Sequence, residues 1–427
     1  MKTTWAWSLL CIFSLSCQVS NYEPYFQQAE RVFVSGDYAQ AISLYLKAIR
    51  EKDNRAETYF GLATAYQRMG DFEGAMLAFE KAIELDPKNP EAYERLGSVY
   101  LDLGLPDSTI SLCRKALSMD DEFVEAENTL GHGFFDLGQL DSAENHFSLS
   151  VKLVKGLRAR DQKSWYYDRY FEQEAEAYNG LGEICNRRKL YTNALDFFAG
   201  AISLCADWET PWSNKAQTYE SMGNFKAAEV CYWRAIDLSA TDLQPYKKLG
   251  QLYRRAGKIS EAYSVYRAAL RMDSTDVDTY YALVDIYEWL REFKLAQQTY
   301  DEILRYAPDD PKGYVRAGTL QLEQSKSDLA ASYFRQAIDL DPDNAEAYNG
   351  LGEAYRTKGL IGDAQAAFEK AAVCDSTYAI PLRNLGALFM AQEKEEEGLR
   401  YYRRAADLGD IEALIYLRTH YPDKSIR

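Results

Sequence analysis

The chain of 427 residues has only three histidines and seven cysteines, and these are widely scattered. No two cysteines form a CxxC pair, so the ligand spacing typical of zinc sites is absent. The five cysteines that follow the first twenty residues cannot all pair with one another, which excludes a complete disulfide framework but leaves open a single bridge between Cys205 and Cys231. With no nucleophile–base set or phosphate loop in the sequence either, we expect no metal, no cofactor and no enzymatic activity.

Basic residues are also in deficit, because 49 lysines and arginines stand against 65 aspartates and glutamates, a net charge of −16. A surface this negative repels phosphate backbones, so nucleic acid is not an expected partner. Glycine (25) and proline (11) are too few for a disordered chain, and hydrophobic residues make up 47% of the sequence. The composition is therefore that of a folded protein.

The amino terminus carries one lysine, Lys2, ahead of an uncharged, largely apolar stretch over residues 5–15. This stretch is too short to span a bilayer as a helix and is typical of a secretory signal. Ser14 and Ser16 precede Cys17 in a pattern similar to a bacterial lipoprotein signal, except that leucine stands one place later than usual. We predict a signal peptide over residues 1–21 and acylation of Cys17, which would anchor the protein to a membrane.

From residue 22 onward the chain repeats every 34 residues. Four copies cover residues 22–157 and seven cover residues 175–412, with an insertion at residues 158–174. The copies begin at Tyr22, Ala56, Pro90, Val124, Ala175, Glu209, Leu243, Val277, Pro311, Ala345 and Ala379. A fixed period of this length predicts an array of similar structural units.

Each copy contains two apolar patterns of helical spacing, at places 4, 7, 8 and 11 and at places 20, 24, 27 and 28. A turn that often contains glycine, such as Gly70-Asp71, separates the two helices. Places 8 and 20 hold mostly glycine or alanine, which lets the helix axes approach closely, while place 24 holds an aromatic ring. The sequence therefore predicts an all-α stack of about eleven antiparallel helix pairs.

This pattern resembles the tetratricopeptide repeat family, whose signature has a large residue at place 4, small residues at places 8 and 20, and an aromatic ring at place 24. The resemblance covers residues 22–412 and implies a right-handed superhelical solenoid. Thr109 and Cys113 in repeat three and Glu127 in repeat four depart from the signature, so we expect these repeats to pack less regularly. Residues 413–427 are predicted to form a capping helix and a tail.

The resemblance also implies that places 2, 5, 6, 9, 12 and 13 face a concave groove in which a protein or peptide binds. The candidate partner-binding residues of the groove are Phe26, Phe60, Phe135, Arg187, Lys247, Lys248, Arg254 and Arg255. The aromatic residues, with the glutamates at place 2 beside them, would suit an apolar segment with basic flanks, and the basic residues would suit an acidic peptide or a carboxyl terminus. Core packing and pairing with nearby carboxylates are the alternative interpretations.

The insertion is rich in aromatic residues, which often anchor partners, so Trp165, Tyr166, Tyr167 and Tyr170 are further candidates. Alternatively, the insertion lengthens the two flanking helices and packs on itself. Taken together, the sequence predicts an exported interaction scaffold of the bacterial cell envelope, either periplasmic or anchored to the outer membrane. A glycan- or peptidoglycan-binding module and an intracellular adaptor are the other hypotheses.

Overall fold

The computed structural model describes residues 23–160, 167–239 and 242–421, and of these only the backbone of residues 23, 24, 167 and 168. All regular secondary structure in this part of the chain is helical. The chain divides into two compact units, Met1–Pro245 and Tyr246–Arg427. The all-α fold class that the periodicity predicted is confirmed.

Within its described residues, the first unit contains twelve complete helices, and α13 begins at its boundary with the second. These helices are α1 (Glu23–Val34), α2 (Tyr38–Arg50), α3 (Ala56–Met69), α4 (Phe72–Leu85), α5 (Pro90–Asp102), α6 (Pro106–Leu117), α7 (Val124–Asp136), α8 (Leu140–Arg160), α9 (Tyr167–Arg187), α10 (Tyr191–Leu204), α11 (Glu209–Ser221), α12 (Phe225–Leu238) and α13 (Gln244–Arg255). The second unit continues with α14 (Ile259–Met272), α15 (Val277–Trp289), α16 (Phe293–Tyr306), α17 (Pro311–Glu323), α18 (Ser327–Leu340), α19 (Ala345–Thr357), α20 (Ile361–Cys374), α21 (Ala379–Ala391), α22 (Glu395–Asp407) and α23 (Ile411–His420).

Local signals in the sequence set the limits of these helices. In repeat three, the Asn89 side chain accepts a hydrogen bond from the Glu91 amide, and Pro90 occupies the first turn of α5, where its missing N–H costs nothing. Gly70 ends α3 with a φ of 78°, a conformation that glycine adopts without strain. These signals stop or start a helix where the chain reverses between neighbouring helices.

Small side chains facing aromatic rings form the seam between neighbouring helices. The ring of Phe147 is fully buried between Gly131 and Gly180, where an added Cβ would lie 2.8 Å and 2.5 Å from the ring carbons. The alanines at place 20 are also fully buried, namely Ala41, Ala75, Ala143, Ala194, Ala228, Ala262, Ala296, Ala330 and Ala364. The predicted close approach of the helices is confirmed, and the ring at place 24 fills the space between them.

Hydrogen bonds replace the missing family residues in repeats three and four. The Thr109 hydroxyl donates to the Gly97 carbonyl at 2.9 Å, and Cys113 is fully buried at the aromatic position. Glu127 is buried and lies 2.7 Å from a ring nitrogen of His146. Both repeats consequently keep the paired-helix arrangement.

The insertion prolongs its two neighbouring helices. α8 and α9 each have 21 residues, about two turns more than the helices around them. At the other end of the chain, α23 buries Ala413 and Leu417 against the last helix pair but leaves Ile411 and Ile415 exposed by 70% and 57%. The expected cap is present, and its outer face is partly apolar.

Candidate functional site

A pocket of about 800 Å³ lies in the first unit, where the added turns of α9 meet the first helices of repeats two to four. We call it the unit-one pocket. Its lining is formed by Arg68, Glu94, Arg95, Ser98, Glu125, Thr129, Arg169, Phe171, Glu172, Gln173, Glu176, Leu204, Cys205, Asp207, Trp208 and Glu209. Pockets of this size are typical of ligand-binding sites in proteins.

The amino-terminal turns of α9 form one wall of the unit-one pocket because they are fastened to α7. Arg169 forms an ion pair with Glu125 at 2.8 Å, and the Asn128 amide donates to the Gln173 backbone oxygen at 3.0 Å. Tyr170 is 8% exposed and packs with Val124 and Val154. The insertion thus contributes a fixed surface next to the repeats.

The same wall is tied to α8 on its other side. Glu174 is buried and pairs with Arg158 and, at 3.7 Å, with Lys155. The Arg158 guanidinium also lies 4.0 Å from the centre of the Phe171 ring. Phe171 is half-buried and forms part of the pocket lining.

Glu94 is the most unusual residue in the lining. Its side chain is 4% exposed, and one carboxylate oxygen, Oε1, accepts a 2.8 Å hydrogen bond from the Thr129 hydroxyl. The second oxygen, Oε2, is buried and has no hydrogen-bond partner among the described residues. Arg95 Nε lies 3.7 Å from Oε2, which is too long for a hydrogen bond.

Burial therefore raises the pKa of Glu94, because the ionised form loses water without gaining enough partners. The Arg95 charge and the Thr129 hydrogen bond oppose this shift, while Glu125 and Glu91 add to it. A buried carboxylate with an unused oxygen is costly to keep in a folded protein. A hydrogen-bond donor that reached Glu94 Oε2 would therefore be stabilising.

A polar row continues from the pocket along the first helices of repeats four to six. The His132 ring nitrogen lies 3.6 Å from Glu176, and this glutamate raises the pKa of His132, although burial alone would lower it. Further along, the Asn214 amide donates to both Asn179 and Glu183 at 3.0 Å. The inward places are thus occupied by interacting polar groups beyond the pocket itself.

The predicted groove residues of the first unit lie in three different environments. Phe26 is 8% exposed, packs against Tyr45 and is covered by the Arg55 guanidinium at 4.5 Å, which favours the alternative interpretation of core packing for this residue. Phe60 is half-buried and packs edge-on against Phe79, with 5.5 Å between the ring centres. Both aromatic rings contribute mainly to the core.

Phe135 and Arg187 come together. The Arg187 guanidinium lies 3.7 Å from the centre of the Phe135 ring and donates a 2.8 Å hydrogen bond to the Phe135 backbone oxygen. Phe135 is half-buried, whereas Arg187 is exposed. These two predicted groove residues, one aromatic and one basic, therefore form one surface feature.

The predicted basic residues Lys247, Lys248, Arg254 and Arg255 of the second unit are called the basic cluster. Two of them pair with carboxylates in α15 or immediately before it. Lys247 lies 2.6 Å from Asp276 and 3.3 Å from Asp278, and Arg254 lies 2.5 Å from Asp285. Burial alone would lower the pKa of Lys247, but these hydrogen bonds and charges raise it. Lys247 and Arg254 are therefore neutralised by nearby carboxylates, which favours the alternative interpretation given above for these two residues.

The remaining members of the basic cluster differ in their surroundings. Lys248 is half-buried. Arg255 lines a cleft of about 450 Å³ together with Arg254 and the side chain of Trp289, which is 69% exposed. This cleft is smaller than the unit-one pocket, and its carboxylate, Asp285, is paired with both Arg254 and Arg316.

Other predicted residues lie outside the described part of the chain. These are the signal peptide with Cys17, and Trp165 and Tyr166 of the insertion. The side chain of Tyr167 is likewise not described. The fourth candidate of the insertion, Tyr170, is in the core between α7, α8 and α9 rather than on the surface, because its ring fills the space that the long helices enclose.

The sequence reasoning missed Glu94 and Trp208. Glu94 stands at place 5 of repeat three, an inward place, but a single glutamate in an acidic chain does not attract notice. Its sequence signal is Thr129, 35 residues further on, because one period plus one residue brings the two side chains together. Trp208 is the residue immediately before α11. Its place in the pocket lining could not be predicted without knowing the path of the insertion.

Among the described residues, no group of three or more histidine, cysteine, aspartate or glutamate side chains is arranged to hold a metal ion. None of the helices formed by these residues combines the length and apolar character needed to cross a membrane.

Helical hairpins that repeat in register define the class of helical-repeat proteins. In this chain the first helices of several hairpins also line a pocket. Four tetratricopeptide repeat models match the sequence, at residues 128–207 and 315–379, 68–104, 253–315, and 90–123 and 210–242. The chain belongs to the tetratricopeptide repeat family. Proteins of this family generally act as scaffolds for protein–protein interactions.

The chain is also similar to the following solved structures. Yeast Tom70 is 15% identical over 93% of this chain and 95% of that chain, with a TM-score of 0.41. The C-terminal part of a TPR protein from Cytophaga hutchinsonii is 17% identical over 56% and 98%, with a TM-score of 0.46. YrrB, described as a TPR protein with an unusual peptide-binding site, is 22% identical over 44% and 97%, with a TM-score of 0.35. No curated protein matches the chain.

Proposed function

We propose that the protein is an exported scaffold of the bacterial cell envelope that binds a partner polypeptide in the unit-one pocket. The observation that carries the binding role is the pocket itself, about 800 Å³ in volume and bordered by the half-buried rings of Phe171 and Trp208. Large aromatic side chains provide much of the binding energy at protein interfaces.

The chemistry of the lining favours binding over catalysis. Among the described residues of the lining, Cys205 alone carries a thiol, and burial together with Glu172 and Asp207 raises its pKa to about 11. At neutral pH it is consequently a thiol rather than the thiolate that a nucleophile requires. Cys205 and Cys231 are both free, so the single bridge that the sequence left open does not form.

Site-specific crosslinking tests the binding role. We expect a photoreactive p-benzoylphenylalanine at position 171, in the cells that naturally produce the protein, to give adducts with one discrete polypeptide. The additional change Trp208→Ala should reduce their yield about tenfold, since truncating an aromatic anchor costs more than 1 kcal/mol. Adduct formation is read by gel electrophoresis before and after protease treatment.

The matched control places the same photoreactive residue at position 225, where phenylalanine is 43% exposed and distant in sequence from the pocket. A similar set of adducts from both positions, or protease-resistant adducts from position 171, would contradict a polypeptide partner. Protease-resistant adducts would instead favour the glycan-binding hypothesis.

The cellular location is supported by the amino-terminal sequence: Lys2, the apolar residues 5–15 and the small residues that precede Cys17. We expect a fatty-acid analogue fed to the cells to label the protein and Cys17→Ala to abolish the label. Cys374→Ala, which removes a half-buried thiol, should leave labelling unchanged. A label that survives Cys17→Ala, or no label on the unaltered protein, would remove the lipid anchor.

A further inference from the structure

The unit-one pocket has more negative than positive groups. Six of its lining residues are carboxylates and three are arginines. Arg169 is engaged by Glu125 at 2.8 Å, and Arg95 is shared between Glu91 and Glu94 at 3.9 Å and 3.7 Å. The pocket therefore attracts cations rather than anions.

Two of the remaining carboxylates add to this excess. Asp207 is exposed and Glu209 half-buried, and neither forms an ion pair among the described residues. They lie in the loop before α11 and in its first turn, and so belong to a different repeat from Glu94. An occupant would thus meet negative charge from more than one element of the lining.

Glu94 provides the specific acceptor. Its Oε2 is buried without a hydrogen bond, while Thr129 holds Oε1 in place. A donor that carries a positive charge satisfies such an oxygen best, because charge-assisted hydrogen bonds are about twice as strong as neutral ones. Arg95 makes no hydrogen bond among the described residues, so its side chain can give way to an incoming group.

The apolar part of the lining fits the stem of a long basic side chain. Leu204, Phe171 and Trp208 are half-buried around the same pocket. Lysine and arginine carry aliphatic stems that pack on such surfaces while their charged ends reach a polar partner. A free cation without a stem would use only the carboxylates.

We infer that the unit-one pocket selects a partner segment with a lysine or arginine side chain, whose cationic end is received by the Glu94 carboxylate. This inference rests on the proposed polypeptide-binding function and adds the chemistry of the bound segment. It assigns Glu94 as the residue that determines specificity and Phe171 and Trp208 as the residues that contact the stem.

The test selects peptides from a random twelve-residue display library on the full-length protein. The selected peptides should be enriched in lysine or arginine, and replacing that residue by norleucine or citrulline should weaken binding at least tenfold in fluorescence anisotropy. Glu94→Gln should remove the enrichment. Glu346→Gln, which removes an exposed glutamate from α19 in the second unit, should retain it.

The outcomes separate the inference from the proposed function. Peptides that are selected without a preference for basic residues, or with a preference for acidic ones, overturn the inference and leave the binding function standing. No selected peptides at all overturns both. Spermidine that binds as tightly as the selected peptide also overturns the inference, since the site would then serve a free polyamine. Even if Glu94→Gln fails to fold, the citrulline and norleucine peptides test on the unaltered protein whether binding requires the charged side chain.

Discussion

Phe147→Ala should lower the free energy of unfolding of the first unit by about 3–5 kcal/mol, the usual cost of deleting a buried aromatic ring. The ring is 0% exposed, and it packs with Leu130, Ala143 and Ile184 in a single core cluster. Its faces contact Gly131 and Gly180, which have no side chains to fill the cavity left behind. The neighbouring helices would have to shift to close the gap, so little of the cost is recovered.

Urea unfolding followed by far-ultraviolet circular dichroism measures the change. Because repeat proteins can unfold in parts, hydrogen exchange of the α7–α10 amides should show that the loss is local to these helices. Phe225→Ala is the matched control: this ring is 43% exposed, and its removal should cost less than about 1 kcal/mol. Equal losses for the two variants would mean that the ring at place 24 does not hold neighbouring repeats together.

The seam could be predicted from the sequence because it depends on local patterns. Small residues at places 8 and 20 and a ring at place 24 recur at fixed positions in one chain, and any copy is packed by the copy beside it. Gly131 at place 8 and Phe147 at place 24 needed no knowledge of distant contacts beyond the period itself, whereas Gly180 stands at place 6 beyond the insertion and its contact with Phe147 was not predicted. Similarly, Gly70 and Asn89 marked helix limits through backbone conformation and capping alone.

The path of the insertion could not be predicted in this way. Whether residues 158–174 pack on themselves or against the repeats depends on pairs such as Arg169 with Glu125, which no periodic rule connects. The register break at the insertion also hid the nearness of Trp208 to Glu94, since both line one pocket from different repeats. For the same reason, the burial of Tyr170 could not be foreseen from its aromatic neighbours.

The pairing of the basic cluster, in contrast, was within reach of the sequence. Side chains on adjacent first helices meet when they are 31 or 35 residues apart, three fewer or one more than the period. Arg254 and Asp285 are 31 apart, as are Glu183 and Asn214, while Glu94 and Thr129 are 35 apart. Applying this spacing to each charged residue at an inward place would have predicted that Arg254 pairs with Asp285 and that the Thr129 hydroxyl donates to Glu94.

Affinity for a basic peptide selected on the unit-one pocket should fall as the pH is lowered through the raised pKa of Glu94. Burial raises this pKa above the usual value, so Glu94 takes up a proton at a pH where ordinary glutamates stay ionised. A cationic side chain binds the ionised carboxylate and must displace that proton. By linkage, affinity should therefore rise with pH by up to about tenfold per unit across the titration and level off above it.

Other groups around Glu94 also influence its pKa. Arg95 and Glu91 lie on its own helix, Glu125 and Thr129 face it from α7, and the Cys113 thiol faces it from α6. The Arg95 charge favours the ionised form, whereas the Glu91 and Glu125 charges favour the protonated form. Cys113 stays protonated over the range because burial raises its pKa.

His132 contributes a second, weaker effect of the same sign. It is paired with Glu176 of the pocket lining, and its protonation at low pH adds a positive charge that disfavours a cationic ligand. Glu94→Gln should thus remove most of the pH dependence and keep the part due to His132, as measured by fluorescence anisotropy from pH 5 to 8 at constant ionic strength. An affinity that stays constant in the unaltered protein, or rises on acidification, would show that no buried carboxylate receives the basic side chain.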